Sequence, residues 1–211
     1  MERQKGATKL NDITLSSRQL ADVALSTIRS VIGAERYQYL SGPITGGRRL
    51  LAWHASTGRE LPDDARSAAR RAAVTSVNIA EIKAEATRQR ALGRSTIEPG
   101  SFEAEFKQWG QPEFYAFWDR VLEEHADRVI FVDGWEFSAG CTFEYLRARH
   151  HGLPTLDIRG ADLPVARTLE LLAASLAEIA RSHDAADPRD EAIARLQTSI
   201  NGYKDEIAQL P

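Results

Sequence analysis

The sequence predicts an α/β protein built on a three-layer parallel sheet of the flavodoxin or Rossmann type, with extra helices at its N- and C-terminal ends. Three observations favour this fold class. Short β-branched or aromatic runs alternate with longer segments of helical periodicity. Three of the short runs end at glycine-containing turns, and the 211 residues suffice for one such domain. Strands that alternate with helices pair in parallel, because each helix carries the chain back across the sheet.

The chain divides into one domain with two appendages. Residues 1–14 are polar, and we expect them to be flexible. Residues 15–186 form the single predicted α/β domain, in which residues 49–75 are an insertion after the first strand. Residues 187–211 form a C-terminal helix whose apolar residues lie at heptad spacing. That spacing fits packing against a partner subunit or back on the same domain.

In the first half of the chain, capping and turn residues mark the ends of the elements. Residues 16–19 form a capping box that begins a helix, and Gly33 ends this helix. The first strand is predicted at Tyr37–Ser41. Pro62 begins a helical stretch rich in alanine and arginine, and residues 78–92 form a clearer helix.

The second half of the chain repeats the alternation of strand and helix. The predicted strands are Ser95–Ile97, Val129–Val132 and Thr155–Ile158. Helices are predicted from Pro112, after an N-cap at Ser138, and near Asp162. The run Val129–Val132 is β-branched and is followed by a tight turn, so we interpret it as the buried central strand.

Charge and cysteine content exclude several classes of protein. The net charge of −3 provides no basic field for a nucleic acid or an anionic membrane. No window approaches eighteen apolar residues, so no membrane span is expected. Cys141 is the only cysteine, which excludes an internal disulfide and favours a reducing, cytoplasmic setting. His150 and His151 end a helix, where they favour contact with terminal carbonyls over a metal, and no metal or cofactor is expected.

Six arginines lie in or beside the insertion and the following helix. They are Arg66, Arg70, Arg71, Arg88, Arg90 and Arg94. Acidic residues are interspersed among them and few aromatic residues accompany them, so a solvated helix face is favoured over a contact with RNA or DNA.

The first strand runs into a glycine-rich turn, Gly42-Pro43-Ile44-Thr45-Gly46-Gly47-Arg48, followed by Arg49. Glycine lets backbone N–H groups approach an anion closely, and arginine adds charge-assisted hydrogen bonds. The motif fits an anion-binding loop, and it also fits a plain turn.

A second candidate site follows the central strand. A strand, a turn and a helix that begins after Ser138 place Glu144 near the start of that helix, at the carboxyl edge of the sheet. Open α/β sheets bind ligands at this edge. In the alternative interpretation, Glu144 is a solvated helix residue without a role in a site. Glu136, in the turn itself, is a second candidate for the acidic residue of the site. Cys141 lies near the helix start without a histidine placed to activate it, which favours a packing role.

Taken in order, these motifs resemble those of the nucleoside 2-deoxyribosyltransferase superfamily. The matching residues are the Tyr39–Arg48 segment, Asp119, Ala126-Asp127, Ser138-Ala139-Gly140 and Glu144. Within the superfamily, the chain is most similar to the branch of 2-deoxynucleoside 5-phosphate N-hydrolases. The resemblance covers roughly residues 37–48 and 76–158.

The resemblance implies roles for individual residues. Glu144 is expected to be the nucleophile that attacks the anomeric carbon of the sugar, and Tyr39 is expected beside it. Asp119, eight residues before Asp127, is expected to activate or protonate the departing base. Ser138 stands where nucleoside-specific members have an aspartate, which implies a 5-phosphate in the pocket. Ser138 is also a plain N-cap in the simpler interpretation, and Asp119 is then only the polar edge of an aromatic helix.

The expected chemistry is cleavage or exchange of an N-glycosidic bond of a (deoxy)nucleoside 5-monophosphate through a covalent glycosyl intermediate. We expect the helix dipole and nearby N–H groups to keep Glu144 ionised. The expected substrate-binding residues are Gly42, Pro43, Ile44, Thr45, Gly46, Gly47, Arg48, Glu98, Trp135, Ser138 and Gly140. Trp135 and Phe137 are expected to cover the base or the sugar.

Two further expectations concern alternatives and partners. A non-catalytic nucleotide-binding or sensing protein on the same fold is the alternative function. The resemblance also implies a homodimer or a higher homo-oligomer.

Overall fold

The structure, a computed structural model, describes residues 16–32, 36–102, 106, 109–184 and 187–210, with the side chains of residues 31 and 32 excepted. The flexible segment predicted for residues 1–14 and the helix stop predicted at Gly33 therefore lie outside the described residues. The described residues form an α/β fold with a four-stranded, all-parallel sheet flanked by helices. The predicted fold class is thus confirmed.

Helices and strands alternate along the chain. The strands are β1 (Tyr37–Ser41), β2 (Thr96–Ile97), β3 (Ala126–Phe131) and β4 (Thr155–Asp157). The helices are α1 (Ser17–Ile32), α2 (Arg48–Trp53), α3 (Asp63–Arg70), α4 (Ser76–Ala91), α5 (Gln111–His125), α6 (Ala139–His150), α7 (Val165–Arg181) and α8 (Glu191–Ile207). Each predicted strand and helix has a counterpart, and the bounds differ by a few residues.

The strand order is β2-β1-β3-β4, which creates a crevice at one defined place. The chain leaves β1 toward β2 on one side, and it leaves β3 toward β4 on the other side. The connections therefore diverge between β1 and β3, at their carboxyl ends. Parallel sheets bind ligands at such a switch point, because the diverging connections leave the strand ends open.

The alternation of side chains along β1 distributes the core over both faces of the sheet. Leu40 packs with Ile82 and Ala86 of α4 and with Ile130 of β3 on one face. Tyr39 belongs to the larger cluster on the opposite face, which α1, α5, α6, α7 and α8 cover. Among the described residues, the apolar core is therefore much larger on the face of Tyr39 than on the face of Leu40.

The insertion is almost entirely helical. A π-helical segment, His54–Gly58, follows α2, and a second one, Arg71–Thr75, joins α3 to α4 without a break. The sequence showed no clear periodicity before Pro62, because a π-helical turn shifts the apolar positions away from the 3.6-residue repeat. Residues 63–91 consequently form one continuous helical rod.

The C-terminal helix α8 packs back on its own domain, against α6 and α7. Ile193, Ile200 and Ile207 are almost fully buried and recur every seven residues. This arrangement decides between the two alternatives for the heptad pattern. The N-terminal end of α8 is linked to the insertion by a buried hydrogen bond, in which His54 Nε2 lies 2.6 Å from Asp190 Oδ1.

Within the described residues, no helix combines the length and the apolar character that crossing a membrane requires.

Replacing Ile200 with alanine tests the packing of α8. Ile200 is fully buried, so the truncation leaves a cavity and we expect a loss of about 2–5 kcal/mol in the free energy of unfolding. Urea denaturation followed by circular dichroism measures the change. The control is Ser199→Ala, since Ser199 is exposed on the same helix. Equal stabilities of the two variants would contradict the packing of α8 on the domain.

Candidate functional site

Glu144 lies at the centre of the candidate site, on the second turn of α6. Its side chain reaches back to β1, where both carboxylate oxygens accept hydrogen bonds. Tyr39 Oη donates to Oε1 at 2.6 Å, and Ser41 Oγ donates to Oε2 at 2.5 Å. Tyr39 and Ser41 are two residues apart on β1, so their side chains leave the same face of the sheet. The strand thus presents two hydroxyl groups at the spacing that one carboxylate requires.

Burial dominates the ionisation of Glu144. The residue is 7% exposed, and burial raises the pKa of its carboxyl to about 7, although the hydrogen bonds from Ser41 and Tyr39 act in the opposite direction. The expectation that the dipole of α6 keeps Glu144 ionised is therefore not met. Glu144 is the sixth residue of α6, and the dipole acts mainly within the first turn. Burial also raises the pKa of Tyr39, so Tyr39 remains a hydrogen-bond donor.

Glu144 lines a cavity of about 320 Å³ at the carboxyl edge of the sheet. One wall is formed by the glycine loop and the start of α6, which contribute Gly42, Ile44, Thr45, Ser138, Gly140 and Cys141. The opposite wall is aromatic and contains Trp109, Phe114, Tyr115 and Trp118. Pro99 and the Gly110-Gln111 pair complete the lining. Its size and its mixture of aromatic and polar groups suit a small organic ligand.

The glycine loop is held from two sides. On one side, Asn78 of α4 donates from Nδ2 to the carbonyl oxygens of Ile44 and Gly46, at 3.0 and 3.1 Å. On the other side, Gly47 N donates to Phe137 O at 3.0 Å. Gly47 has φ +82°, a conformation that favours glycine. The loop is therefore fixed against the turn that precedes α6.

The start of α6 faces the cavity. Ser138 is the N-cap, and its Oγ accepts from Cys141 N at 3.4 Å, as the sequence predicted. The N–H groups of Ala139 and Gly140 have no partner within the helix, because the first turn of any α-helix leaves its donors free. Cys141 is buried, and burial raises the pKa of its thiol, which agrees with a packing role.

The structure places part of the predicted glycine-loop set outside the cavity. Pro43, Gly47 and Arg48 line a separate crevice on the other side of the loop. The Arg48 guanidinium lies 4.3 Å from the ring centroid of Phe137 and forms long ion pairs, at 3.7 and 3.5 Å, with Glu136 and Glu178. Arg48 therefore does not take part in the cavity lining as predicted.

Asp119 lies outside the cavity. It sits on the face of α5 that meets α6, where its Oδ1 accepts from Arg147 Nε at 2.6 Å and lies 2.8 Å from His151 Nε2. These two partners outweigh the effect of burial and lower the pKa of Asp119. The structure therefore brings Tyr39, Ser138 and Glu144 together but keeps Asp119 with the outer surface of α6.

Two other predicted contacts have structural roles. Trp135 is buried against Phe131 and Tyr145, with ring centroids 4.7 and 5.6 Å apart, so it does not cover a ligand as predicted. Phe137 is also almost fully buried, beneath Arg48. These side chains are apolar and follow a strand, and they fill the space between the sheet and α6.

Glu98 is buried at the end of β2 and does not line the cavity. Its carboxylate accepts from the backbone N–H and the hydroxyl of Ser101, and so caps the short turn at Pro99–Ser101. The neighbouring Pro99 does reach the cavity. Glu98 thus shapes the cavity edge through the turn.

Sequence reasoning missed several residues of the site. Ser41 was treated only as a strand end, although its period-two spacing from Tyr39 places the two hydroxyl groups on one face. The aromatic residues of α5 were interpreted as packing on the sheet. Three of them, Phe114, Tyr115 and Trp118, lie within the first eight residues of α5 and line the cavity. Nothing in the sequence marked Asn78 as the residue that holds the loop.

No group of three or more His, Cys, Asp or Glu side chains that suits a metal ion occurs in the described part of the chain. Comparison of the chain with protein-family models, curated proteins and solved structures gives no match. The resemblance to the nucleoside 2-deoxyribosyltransferase superfamily stays a prediction.

The raised pKa of Glu144 predicts a pH dependence of stability. Between the ordinary carboxyl pKa of 4.5 and about 7, the folded protein binds more protons than the unfolded chain, so stability falls as pH rises through this window. We expect the wild type to lose roughly 2 kcal/mol more than Glu144→Gln between pH 5 and 8. Denaturant unfolding over this range measures the difference. Parallel pH profiles of the two proteins would contradict a buried, protonatable Glu144.

Proposed function

We propose that the protein cleaves or exchanges the N-glycosidic bond of a (deoxy)nucleoside 5-monophosphate, with Glu144 as the nucleophile. One observation carries this proposal: a buried carboxylate, oriented by Tyr39 and Ser41, faces a cavity whose opposite wall is aromatic. Departure of a base leaves positive charge on the sugar, and a fixed carboxylate beneath the anomeric carbon stabilises it. Attack by the carboxylate then gives a covalent glycosyl intermediate, which water or a second base resolves.

The hydroxyl groups of Tyr39 and Ser41 have a direct consequence for this chemistry. Each holds one carboxylate oxygen, so the carboxylate plane is fixed before the substrate arrives. Neither partner is a cation, so the negative charge of Glu144 is oriented without being neutralised. The oxygen that attacks would give up its hydrogen bond, or share it, as the glycosyl bond forms.

The aromatic wall supports a planar base as ligand. The ring centroids of Trp109 and Phe114 are 5.3 Å apart. Phe114, Tyr115 and Trp118 all belong to α5. Aromatic faces bind a purine or pyrimidine by stacking, and stacking tolerates different bases. Gln111 and the phenol of Tyr115 add polar groups to this wall.

The phosphate would lie on the other wall, at the start of α6. Ile44, Thr45, Ser138 and Gly140 line this wall, and the N–H groups of Ala139 and Gly140 have no partner within α6. Gly46 packs so closely on this turn that a Cβ atom would lie 3.4 Å from Phe137 O. In the described residues, no lysine, arginine or histidine lines the cavity. Backbone dipoles, rather than paired cations, are then the partners of the phosphate.

Asp119 fits a supporting role better than contact with the base. Its ion pair with Arg147 links α5 to α6, three residues beyond Glu144. This link stabilises the position of the helix that carries the nucleophile. Protonation of the departing base by Asp119 stays a prediction of the sequence.

The alternative is a nucleotide-binding or sensing protein on the same fold that does not turn over its ligand. One observation favours it: Glu144 is the only carboxylate among the described residues that line the cavity, so the lining provides no second acid for the base. A cytoplasmic setting and a homo-oligomer, both suggested by the sequence, are compatible with either function.

Incubation with a panel of nucleoside 5-monophosphates tests the proposed reaction, with release of free base followed by chromatography. Only ionised Glu144 is nucleophilic, so we expect kcat/KM to fall about tenfold for each pH unit below about 7. Glu144→Gln should lower kcat at least about a thousandfold. Glu123→Gln, an exposed change on α5, is the control. Nucleotide binding without base release by the wild type would support the alternative function instead.

Ser138→Asp tests the place of the phosphate. A carboxylate at this position would repel a phosphate a few ångströms away, so we expect KM for the nucleotide to rise roughly tenfold or more. The KM for the corresponding nucleoside should change little. Ser138→Ala is the matched control, since it removes the N-cap at a cost of about 1 kcal/mol without adding charge. An unchanged KM for the nucleotide in Ser138→Asp would refute the placement.

A further inference from the structure

We infer that the crevice between α3 and the start of α8 is a second binding site, for a small phosphate-bearing anion. The crevice has a volume of about 240 Å³ and is separate from the Glu144 cavity, with which it shares no lining residue. The inference therefore does not depend on the proposed reaction. It accounts for arginines of the insertion that the Glu144 cavity does not use.

The crevice is rich in guanidinium groups. Arg66 and Arg70 lie one helical turn apart on α3, and Arg189 and Arg195 face them from the other side. The carboxylates in the lining are those of Asp63 and Glu191. Four guanidinium groups and two carboxylates line the crevice, and Asp187 pairs with Arg189 from outside the lining, so an excess of one positive charge remains in a protein whose overall charge is −3.

These guanidinium groups are engaged to different degrees. Arg189 pairs with Asp187 at 2.6 Å, and Arg66 donates to Leu61 O. Arg195 pairs only with the exposed Glu191, one turn away, and such pairs are weak. The side chain of Arg70 has no hydrogen bond or ion pair with any described residue. Arg70 and Arg195 are therefore the cations most able to bind a ligand.

The start of α8 adds a second attraction for an anion. Its N-cap residue, Asp190, does not cap the helix, because its carboxylate is engaged with His54 and with the backbone N–H of Asp184. The N–H group of Glu191 donates to Pro188 O, and the following N–H groups of the first turn have no side-chain partner. Ala192, in this first turn, lines the crevice. Free N–H groups at a helix start, combined with arginines, are typical of phosphate sites.

The size of the crevice favours a small ligand over a nucleic acid. Leu50, Trp53 and Ile193 form an apolar floor, which limits the depth to which charged groups extend. Of the other arginines that suggested a polynucleotide surface, Arg88 pairs with Glu85, and Arg90 donates to Thr96 O.

Titration calorimetry with pyrophosphate at low ionic strength tests the inference. We expect a binding event that persists in Ser138→Asp and whose Kd rises roughly tenfold or more in Arg70→Ala and in Arg195→Ala, since each of these two variants removes a charge-assisted partner. Arg71→Ala is the matched control, because Arg71 is the exposed neighbour on the same rod and lies outside the crevice. Its Kd should stay within about twofold of the wild-type value. Ser138→Asp should also leave this Kd unchanged, which separates the crevice from the Glu144 cavity.

Several results would overturn the inference. They are the absence of pyrophosphate binding, equal losses in Arg70→Ala and Arg71→Ala, and loss of binding in Ser138→Asp. A single-stranded polynucleotide that binds more tightly than pyrophosphate, with the same dependence on Arg70, would replace the small anion by a nucleic acid. If circular dichroism shows that Arg70→Ala does not fold, Arg195→Ala provides the test of the inference. Arg195 is exposed, and its replacement leaves α8 intact.

Discussion

The buried carboxylate of Glu144 is the constraint on which the site depends. Removing an ionised carboxyl group from water is costly, and uncharged hydroxyl groups offset only part of this cost. The carboxyl pKa near 7 expresses the remainder. Tyr39 and Ser41 are fixed in the centre of the sheet and α6 packs against the sheet, so the buried carboxyl group of Glu144 keeps its two hydrogen-bond donors. A group that is poised near neutrality and held in one orientation is suited to chemistry in a way that a solvated glutamate is not.

The glycine loop separates two environments at the switch point of the sheet. On the side of α5 and α6 it borders an aromatic cavity with one acidic group, and on the side of α4 it borders a crevice with arginines and acids. On the side of α4, Asn78 donates to two loop carbonyls, and on the other side Gly47 N–H donates to Phe137 O. Because β1, the loop and the turn before α6 are mutually bonded, a change in one of them is transmitted to Glu144.

The sequence was sufficient to predict the fold and the position of Glu144, but not the positions of the side chains around Glu144. Periodicity and caps predicted the strands, and the strand-turn-helix order predicted Glu144 at the carboxyl edge. Trp135 was wrongly placed because sequence does not tell which side of a turn a buried aromatic ring fills. Arg48 was assigned to the cavity because side-chain direction in a loop depends on partners such as Glu136 and Glu178, which are distant in sequence. Ser41 and Asn78 became visible only when the strands and helices were assembled.

The π-helical segment Arg71–Thr75 has a consequence for how the rod of residues 63–91 tolerates change. Its wider turn sets the rotational offset between α3, which faces α8, and α4, which faces the glycine loop. Deleting one residue there would turn one half of the rod by about 100° relative to the other. Either Arg70 or Asn78 would then point away from its neighbours. A change in length at this segment therefore disturbs one of the two sites, whereas the same change in the loop at residues 60–62 leaves the rod unaltered.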